Sequence, residues 1–193
     1  MFHHFVGRII EKSPAHIVLE CGGVGYYLNI SLTTFGQIGE AKEVKLLTHA
    51  VYREDAQLLF GFHTGVERDV FLLLLSVSGV GANTARMILS ALRPNEAIQA
   101  ISNGDSGTLQ RIKGIGAKTA QRIVIDLRDK VGGVATIKGS GDEPASSVRA
   151  EAIQALIVLG FSRSIVERIV SSILSKDGDH DLEDVLRIAL SQL

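Results

Sequence analysis

Two short segments of the sequence share one arrangement of glycine, β-branched residue and threonine, with an arginine two or three residues after the threonine. The first reads GVGANTAR from Gly79, and the second reads GIGAKTAQR from Gly114. Glycine inside a regular element costs roughly 0.5–1 kcal/mol relative to alanine, so both pairs indicate a backbone geometry that other residues resist. A sharp turn before a helix presents backbone N–H groups beside the positive end of the helix dipole. The pattern therefore predicts a site for a phosphate oxygen in each segment.

The two segments predict a tandem helix-hairpin-helix. Each follows a helix-like run, FLLLLSV or TLQRI, and the central Val80 or Ile115 should anchor its turn in the core. Two such units, related by a local pseudo-twofold axis, would hold two phosphates of one duplex groove and read no bases. The candidate phosphate-binding residues are Gly79, Val80, Gly81, Asn83, Thr84 and Arg86 in the first segment and Gly114, Ile115, Gly116, Lys118, Thr119 and Arg122 in the second.

Other readings of these glycines fit less well. A single Gly-hydrophobic-Gly before a helix is most often only a tight turn, but two copies in equivalent settings reverse those odds. A nucleotide-binding P-loop needs Gly-Lys-Ser/Thr, and the chain has no Gly-Lys pair. Neither segment has the third glycine of a dinucleotide fingerprint. The sequence therefore predicts no cofactor and no unaided hydrolysis of ATP.

Further chemistry-bearing residues are few. Glu54 and Asp55 are adjacent at the expected tip of a hairpin, where nothing nearby would raise either pKa for acid/base catalysis, so on the residues alone they belong to a solvated loop. The single Cys21 excludes a disulfide framework and a cysteine-based zinc site. His3 and His4 should point to opposite faces of a strand, so we predict no metal site.

Composition limits the class of protein. The 193 residues are 46% hydrophobic with a net charge of −1, and no apolar run reaches membrane-spanning length. The N-terminus lacks the features of a signal peptide, so the chain is expected to be cytoplasmic. Residues 64–131 hold 9 basic and 6 acidic groups, which places the basic excess in the segment with both glycine turns. That modest excess is compatible with a polyanionic partner.

The order of elements predicts an α+β multi-domain protein. Five β-branched or aromatic runs separated by turn residues favour a five-stranded OB-fold barrel. Helical spacing follows, then a Gly- and Ser-rich stretch, then three amphipathic helices of a small, UBA-like module. The expected boundaries are 1–63 for the barrel, 64–131 for the tandem helix-hairpin-helix domain, 132–147 for a flexible linker and 148–193 for the three-helix domain.

This order, together with REDAQLLFGF at the expected hairpin and the paired segments SGVGANTARMIL and IKGIGAKTAQRIVIDLRDK, resembles the RuvA family over essentially the whole chain. The resemblance implies a non-catalytic subunit that binds four-way (Holliday) DNA junctions for branch migration. It implies a homotetramer with fourfold symmetry, which holds the open junction alone or as two face-to-face tetramers in an octamer. The implied partners are the hexameric ATPase RuvB and the junction resolvase RuvC.

The resemblance also assigns roles to residues outside the glycine turns. Glu54 and Asp55 would form an acidic pin at the centre of the junction. Leu156, Leu159, Phe161 and Leu190 align with the hydrophobic surface that docks on RuvB, so part of this set should be exposed. Family members carry Pro-Lys at Ala82-Asn83 and a second Lys at Ala117, and the cations that could replace the missing lysines are Arg86, Arg111 and Lys113.

Two other functional classes stay open from the sequence. A helix-hairpin-helix repair enzyme, a glycosylase or a nuclease, would need a catalytic Lys or Asp at a base pocket or clustered carboxylates for metal. We find neither pattern. A single-strand binder that uses its barrel would interleave aromatic and basic residues, which this chain does not.

Overall fold

The computed structural model describes residues 2–136, 144–175 and 181–193, and the chain divides into two compact units, Met1–Ile137 and Lys138–Leu193. The first unit contains a five-stranded barrel followed by a helical domain, and the second is helical. This is the α+β multi-domain architecture that the sequence predicts. None of the described helices is both long and apolar enough to cross a membrane.

The barrel closes in the strand order β1-β2-β3-β5-β4, in which β3 and β5 run parallel and the other pairs are antiparallel. A short helix, α1, which we did not predict, connects β3 to β4, and Ser31 caps it by accepting a hydrogen bond from the Thr34 N–H. The elements are β1 (His4–Lys12), β2 (His16–Cys21), β3 (Val24–Asn29), α1 (Leu32–Ile38), β4 (Glu43–Tyr52) and β5 (Gln57–Phe62).

Five helices follow the barrel, and local sequence signals mark where several of them begin. Thr64 and Asp105 accept hydrogen bonds from backbone N–H groups in the first turns of their helices, and Pro94 occupies a first-turn position, where a missing N–H does no harm. The helices are α2 (Gly65–Leu75), α3 (Ala82–Ala91), α4 (Pro94–Ser102), α5 (Ser106–Gln110) and α6 (Ala117–Thr136).

Two hydrophobic cores support this unit. One fills the barrel around Leu19, Leu28 and Leu46, and the other lies among the helices. The strands β4 and β5 contribute to both, because Phe60 and Phe62 pack into the helical core. The boundary expected near residue 63 therefore falls inside one compact unit.

The segment expected to be a flexible linker, 132–147, is in part helical. Helix α6 continues to Thr136, and the next helix begins at Pro144. Residues 137–143 lie outside the described residues. Val131 is fully buried in the helical core and anchors the end of α6, and each residue added to an existing helix gains a hydrogen bond without a new nucleation cost.

The second unit consists, in its described residues, of α7 (Pro144–Val158), α8 (Arg163–Leu174) and α9 (Leu182–Leu190). They pack around a small core that includes Leu156, Val166, Val170 and Val185. Gly160 has a φ of 100° just beyond the end of α7, a left-handed conformation that glycine adopts without strain.

Candidate nucleic-acid interface

The two glycine segments form turns with matching geometry. Gly79 has a φ of 90° and Gly114 a φ of 89°, values that favour glycine. The Val80 N–H donates to the Val77 carbonyl at 3.0 Å, and the Ile115 N–H donates to the Ile112 carbonyl at 3.1 Å. Val80 and Ile115 are each 5% exposed, so both side chains anchor their turns in the helical core, as predicted from the sequence.

Both turns lead into a helix whose first N–H groups have no acceptor in the part of the chain that the structure describes. The first backbone bond of α3 joins the Ala85 N–H to the Gly81 carbonyl at 2.9 Å, and the first of α6 joins the Ala120 N–H to the Gly116 carbonyl at 3.0 Å. Among the described residues, no side chain caps α3 at Gly81. The N–H groups of the intervening residues are therefore available to an acceptor from outside the chain. Those residues are Ala82, Asn83 and Thr84 in α3 and Ala117, Lys118 and Thr119 in α6.

The second glycine of each turn is not required by the fold. Gly81 has a φ of −88°, which any residue adopts, and Gly116 is not among the glycines with positive φ. A Cβ atom built on either would meet no other atom within 4 Å. The sequence argument that both glycines of a pair serve backbone geometry is thus correct only for the first. The second leaves open space in front of the unpaired N–H groups, which allows a ligand to approach the backbone.

Side-chain charge is distributed unequally between the two turns. Lys118 and Arg122 are exposed on α6, and the nearest acid to Arg122 is Asp126, with 3.8 Å between Nε and Oδ2. An exposed pair at this distance contributes little, so the guanidinium is accessible. In the first turn, Asn83 is exposed but neutral.

Arg86 makes contacts within the chain that the sequence analysis did not predict. Its Nη1 donates to the carbonyls of Ala15 at 3.1 Å and Ile30 at 3.2 Å, both in the barrel, and its buried Nε has no hydrogen-bond partner among the described residues. The guanidinium therefore ties α3 to the barrel, and we remove Arg86 from the phosphate-binding set. Arg111 and Lys113, the other proposed replacements, are exposed and line an open pocket of about 640 Å³ beside Arg86.

The acidic pair lies at the tip of the β4–β5 hairpin. Glu54 and Asp55 are both exposed, and the tip is closed by a hydrogen bond from the Arg53 N–H to the Ala56 carbonyl at 2.8 Å. Among the described residues, no three His, Cys, Asp or Glu side chains come together in a way that could hold a metal ion.

The four residues aligned with a docking surface separate into two groups. Leu159 is 62% exposed and Leu190 is 47% exposed, whereas Leu156 is fully buried and Phe161 packs partly against the core. Leu156 therefore belongs to the core of the second unit and not to its surface. Val158, which is 75% exposed, was missed. Because Leu156 was itself assigned to the surface, its spacing to Val158 would have placed Val158 on the opposite, buried face, so no sequence signal pointed to its exposure.

Sequence reasoning also missed Glu67, which is completely buried where α1 meets α2. The Ser31 hydroxyl donates to one carboxylate oxygen, and the Thr34 hydroxyl donates to the other at 2.7 Å. Burial raises the pKa of Glu67, and the two hydroxyl donors oppose that shift. The sequence Thr64-x-x-Glu67 reads as an ordinary capping box, so no signal distinguished this carboxylate. Its contacts join the barrel to the helix that leads into the first turn.

Comparison with known proteins accounts for nearly the whole chain. Residues 1–61 match the RuvA N terminal domain, residues 71–129 match the SAM-like helix-hairpin-helix tandem, and residues 147–193 match the RuvA C-terminal domain. These matches cover the barrel, both glycine turns and the three C-terminal helices.

Curated relatives agree with these matches over full length. Proteins from Christiangramia forsetii, Bacteroides thetaiotaomicron and Parabacteroides distasonis are 44%, 43% and 46% identical, with 100% of each chain covered. Each is named Holliday junction branch migration complex subunit RuvA. With this identity across all three domains and the tandem turns in place, the chain belongs to the RuvA family.

Proposed function

We propose that this chain binds four-way DNA junctions through its two glycine turns and holds them open for branch migration in recombination and repair. The single observation that carries the proposal is the repeated turn, in which unpaired N–H groups face open space at a glycine that the fold does not need. Phosphate oxygens suit such a site because they accept several backbone hydrogen bonds at once. The relatives' printed name supports the junction as the DNA structure bound.

Backbone and side-chain groups both contribute to the proposed binding of phosphates. Backbone donors at residues 82–84 and 117–119 bind phosphates of one duplex arm at two points. Lys118 and Arg122 add charge at the second point, from exposed positions on one face of α6. Phosphate contacts of this kind fix the position of the DNA without reading its sequence.

The acidic tip selects the branched structure. In a fourfold-symmetric tetramer, four copies of Glu54 and Asp55 would surround the junction centre. DNA phosphates there lie within the Debye length of about 8 Å at physiological salt, so like charges repel. The repulsion is strongest for uninterrupted duplex laid across the centre and weakest for an open crossover. The acids thereby disfavour the wrong substrate and direct separated strands into neighbouring arms.

We assign the second unit, Lys138–Leu193, to the recruitment of RuvB. Leu159 and Leu190, together with Val158, expose apolar side chains that a small three-helix core leaves outside. We assign them to docking on RuvB, whose ATP hydrolysis would drive migration while this chain remains non-catalytic. The proposed assembly is a homotetramer that binds the junction either alone or as two face-to-face tetramers in an octamer. RuvC is the further proposed partner.

Competition titrations of four-way junction against linear duplex, with inspection of the DNA for breaks, test junction binding. The expected result is preference for the junction and intact strands. A lack of preference contradicts junction binding, and strand cleavage would instead support a helix-hairpin-helix repair enzyme.

Recruitment is tested with the double variant Leu159→Asp and Leu190→Asp. Because both side chains are exposed, the variant should fold and bind junctions normally but fail to stimulate RuvB. Full stimulation by the folded variant would refute the docking assignment. Leu156→Asp provides no such test, because it places a charge in the core.

A further inference from the structure

The β4–β5 hairpin has two apolar faces that belong to different cores. Leu46 and Leu59 face the barrel core, whereas Phe60 and Phe62 face the helical core. Val51 and Leu58, which pair across the hairpin near its tip, also pack against the helical core. The strands that carry the acidic tip are therefore held by the helices as well as by the barrel.

One ring on α2 forms the centre of this contact. Phe71 is fully buried, and its ring centroid lies 5.1 Å from that of Phe60 and 4.8 Å from that of Phe62. The His49 ring of β4 meets it edge-on at 5.9 Å. Aromatic contacts at these distances fix the relative orientation of the groups as well as burying area.

The same helix leads directly to the first glycine turn. Phe71 lies one helical turn before the end of α2 at Leu75, a rise of about 6 Å. The turn begins at Gly79 a few residues later, and the Val77 carbonyl already accepts its hydrogen bond. A continuous series of contacts thus runs from the strands of the tip, through Phe71 and α2, to the first turn.

We propose that Phe71 is a positioning residue that sets where Glu54 and Asp55 lie relative to the first phosphate-binding turn. The inference rests on the proposed junction binding. Repulsion at the junction centre discriminates between substrates only if the acids stand at a fixed place relative to the bound phosphates, because screened interactions weaken over a Debye length of about 8 Å at physiological salt. A tip that moves independently of the turns would repel both substrates alike.

Phe71→Leu keeps an apolar side chain but removes the ring contacts to both strands. We expect duplex affinity to stay within about twofold of the wild type and the junction-over-duplex preference to fall by roughly three- to tenfold. Glu54→Gln with Asp55→Asn removes the negative charges of the tip and should likewise lower the junction-over-duplex preference. A fluorescent base analogue at the crossover should also show less unstacking with Phe71→Leu than with the wild type.

Phe5→Leu is the matched control, since it removes a ring from the barrel core, where Phe5 stacks on Tyr26 at 4.2 Å. It should retain the preference at a comparable loss of thermal stability. Leu58→Ala, nearer the tip, should reproduce the effect of Phe71→Leu and replaces it if that variant does not fold.

The outcomes separate the two proposals. A wild type without junction preference would overturn junction binding and, with it, the role of Phe71. A wild type with preference, and a folded Phe71→Leu or Leu58→Ala that keeps it, would overturn the positioning role alone. An equal loss in Phe5→Leu would also overturn it, because general destabilisation would then suffice.

Discussion

The two glycine turns are nearly identical in backbone and unlike in side chains. Their positive φ angles differ by only one degree, and their anchoring hydrogen bonds are equivalent. The second turn is followed by Lys118 and by the accessible guanidinium of Arg122. The first is followed by neutral Asn83 and by Arg86, which bonds to barrel carbonyls instead.

This difference separates the role of the backbone donors from that of the charged side chains, which the sequence repeat alone would treat as one. The shared feature, unpaired N–H groups beside an unneeded glycine, is the part that both turns can use on a phosphate. The two turns differ in their charged side chains. Lys118 and Arg122 after the second turn are exposed, whereas Arg86 after the first turn bonds to the barrel. Affinity should therefore depend on both turns, and the salt dependence should depend mainly on the second.

The largest effect is expected from closing the open space at both turns. Gly81→Val with Gly116→Val places side chains before the N–H groups without straining the backbone. Each lost charge-assisted hydrogen bond is worth on the order of 1.5–3 kcal/mol, so junction and duplex affinity should fall about tenfold or more per turn. Fluorescence anisotropy measures this, with unfolding temperature as the check on folding.

Gly36→Val is the control for that change, since Gly36 is exposed on α1 and a Cβ there also meets nothing within 4 Å. It should bind like the wild type. Wild-type affinity in a folded double variant would show that the turns do not approach phosphates closely.

Next in size is the loss of the tie between α3 and the barrel. Arg86→Ala removes two hydrogen bonds from a charged donor and should lower the free energy of unfolding by about 2 kcal/mol. The slope of log affinity against log salt should not change, since the guanidinium contacts no phosphate in this account. Denaturant unfolding and salt titration measure the two quantities. A slope change without a stability change would return Arg86 to the phosphate-binding set.

The smallest effect concerns the charge of the second turn. Lys118→Ala should cost about 1 kcal/mol of junction binding and reduce the salt slope by roughly one, without loss of stability, because Lys118 is exposed. Asn83→Lys is the reciprocal change. It adds a cation at the first turn and should make the dependence of log affinity on log salt steeper by a similar amount. Equal slopes for all three proteins would mean that neither position lies near DNA.

Local sequence patterns predicted the features that are determined by residues nearby in the chain. They failed for side chains whose contacts come from a distant element. The five strands and both turns follow from β-branched runs and glycine spacing, and the buried Val80 and Ile115 follow from their position between glycines. Arg86 looked like a phosphate ligand because its partners, barrel carbonyls, are more than 50 residues away.

The burial of Glu67 and Leu156 was not predicted for the same reason, because distant elements bury them. Glu67 matched a capping pattern, and only its contact with the distant Ser31 reveals the buried carboxylate. Leu156 aligned with a docking surface, but the packing of three helices places it in the core. Helix α1 has only seven residues, so the spacing of its Leu32, Phe35 and Ile38 covers too few turns to establish a helical period.

Hydrogen–deuterium exchange of the backbone amides, with and without four-way junction DNA, tests the central claim most directly. In the free protein the amides of residues 82–84 and 117–119 have no intrahelical acceptor and should exchange quickly. The account predicts that DNA slows exchange at both sets to a similar degree, despite their different side chains. Slowing at the second set alone, or at neither set while the protein is bound, would contradict a grip made by the backbone of both turns.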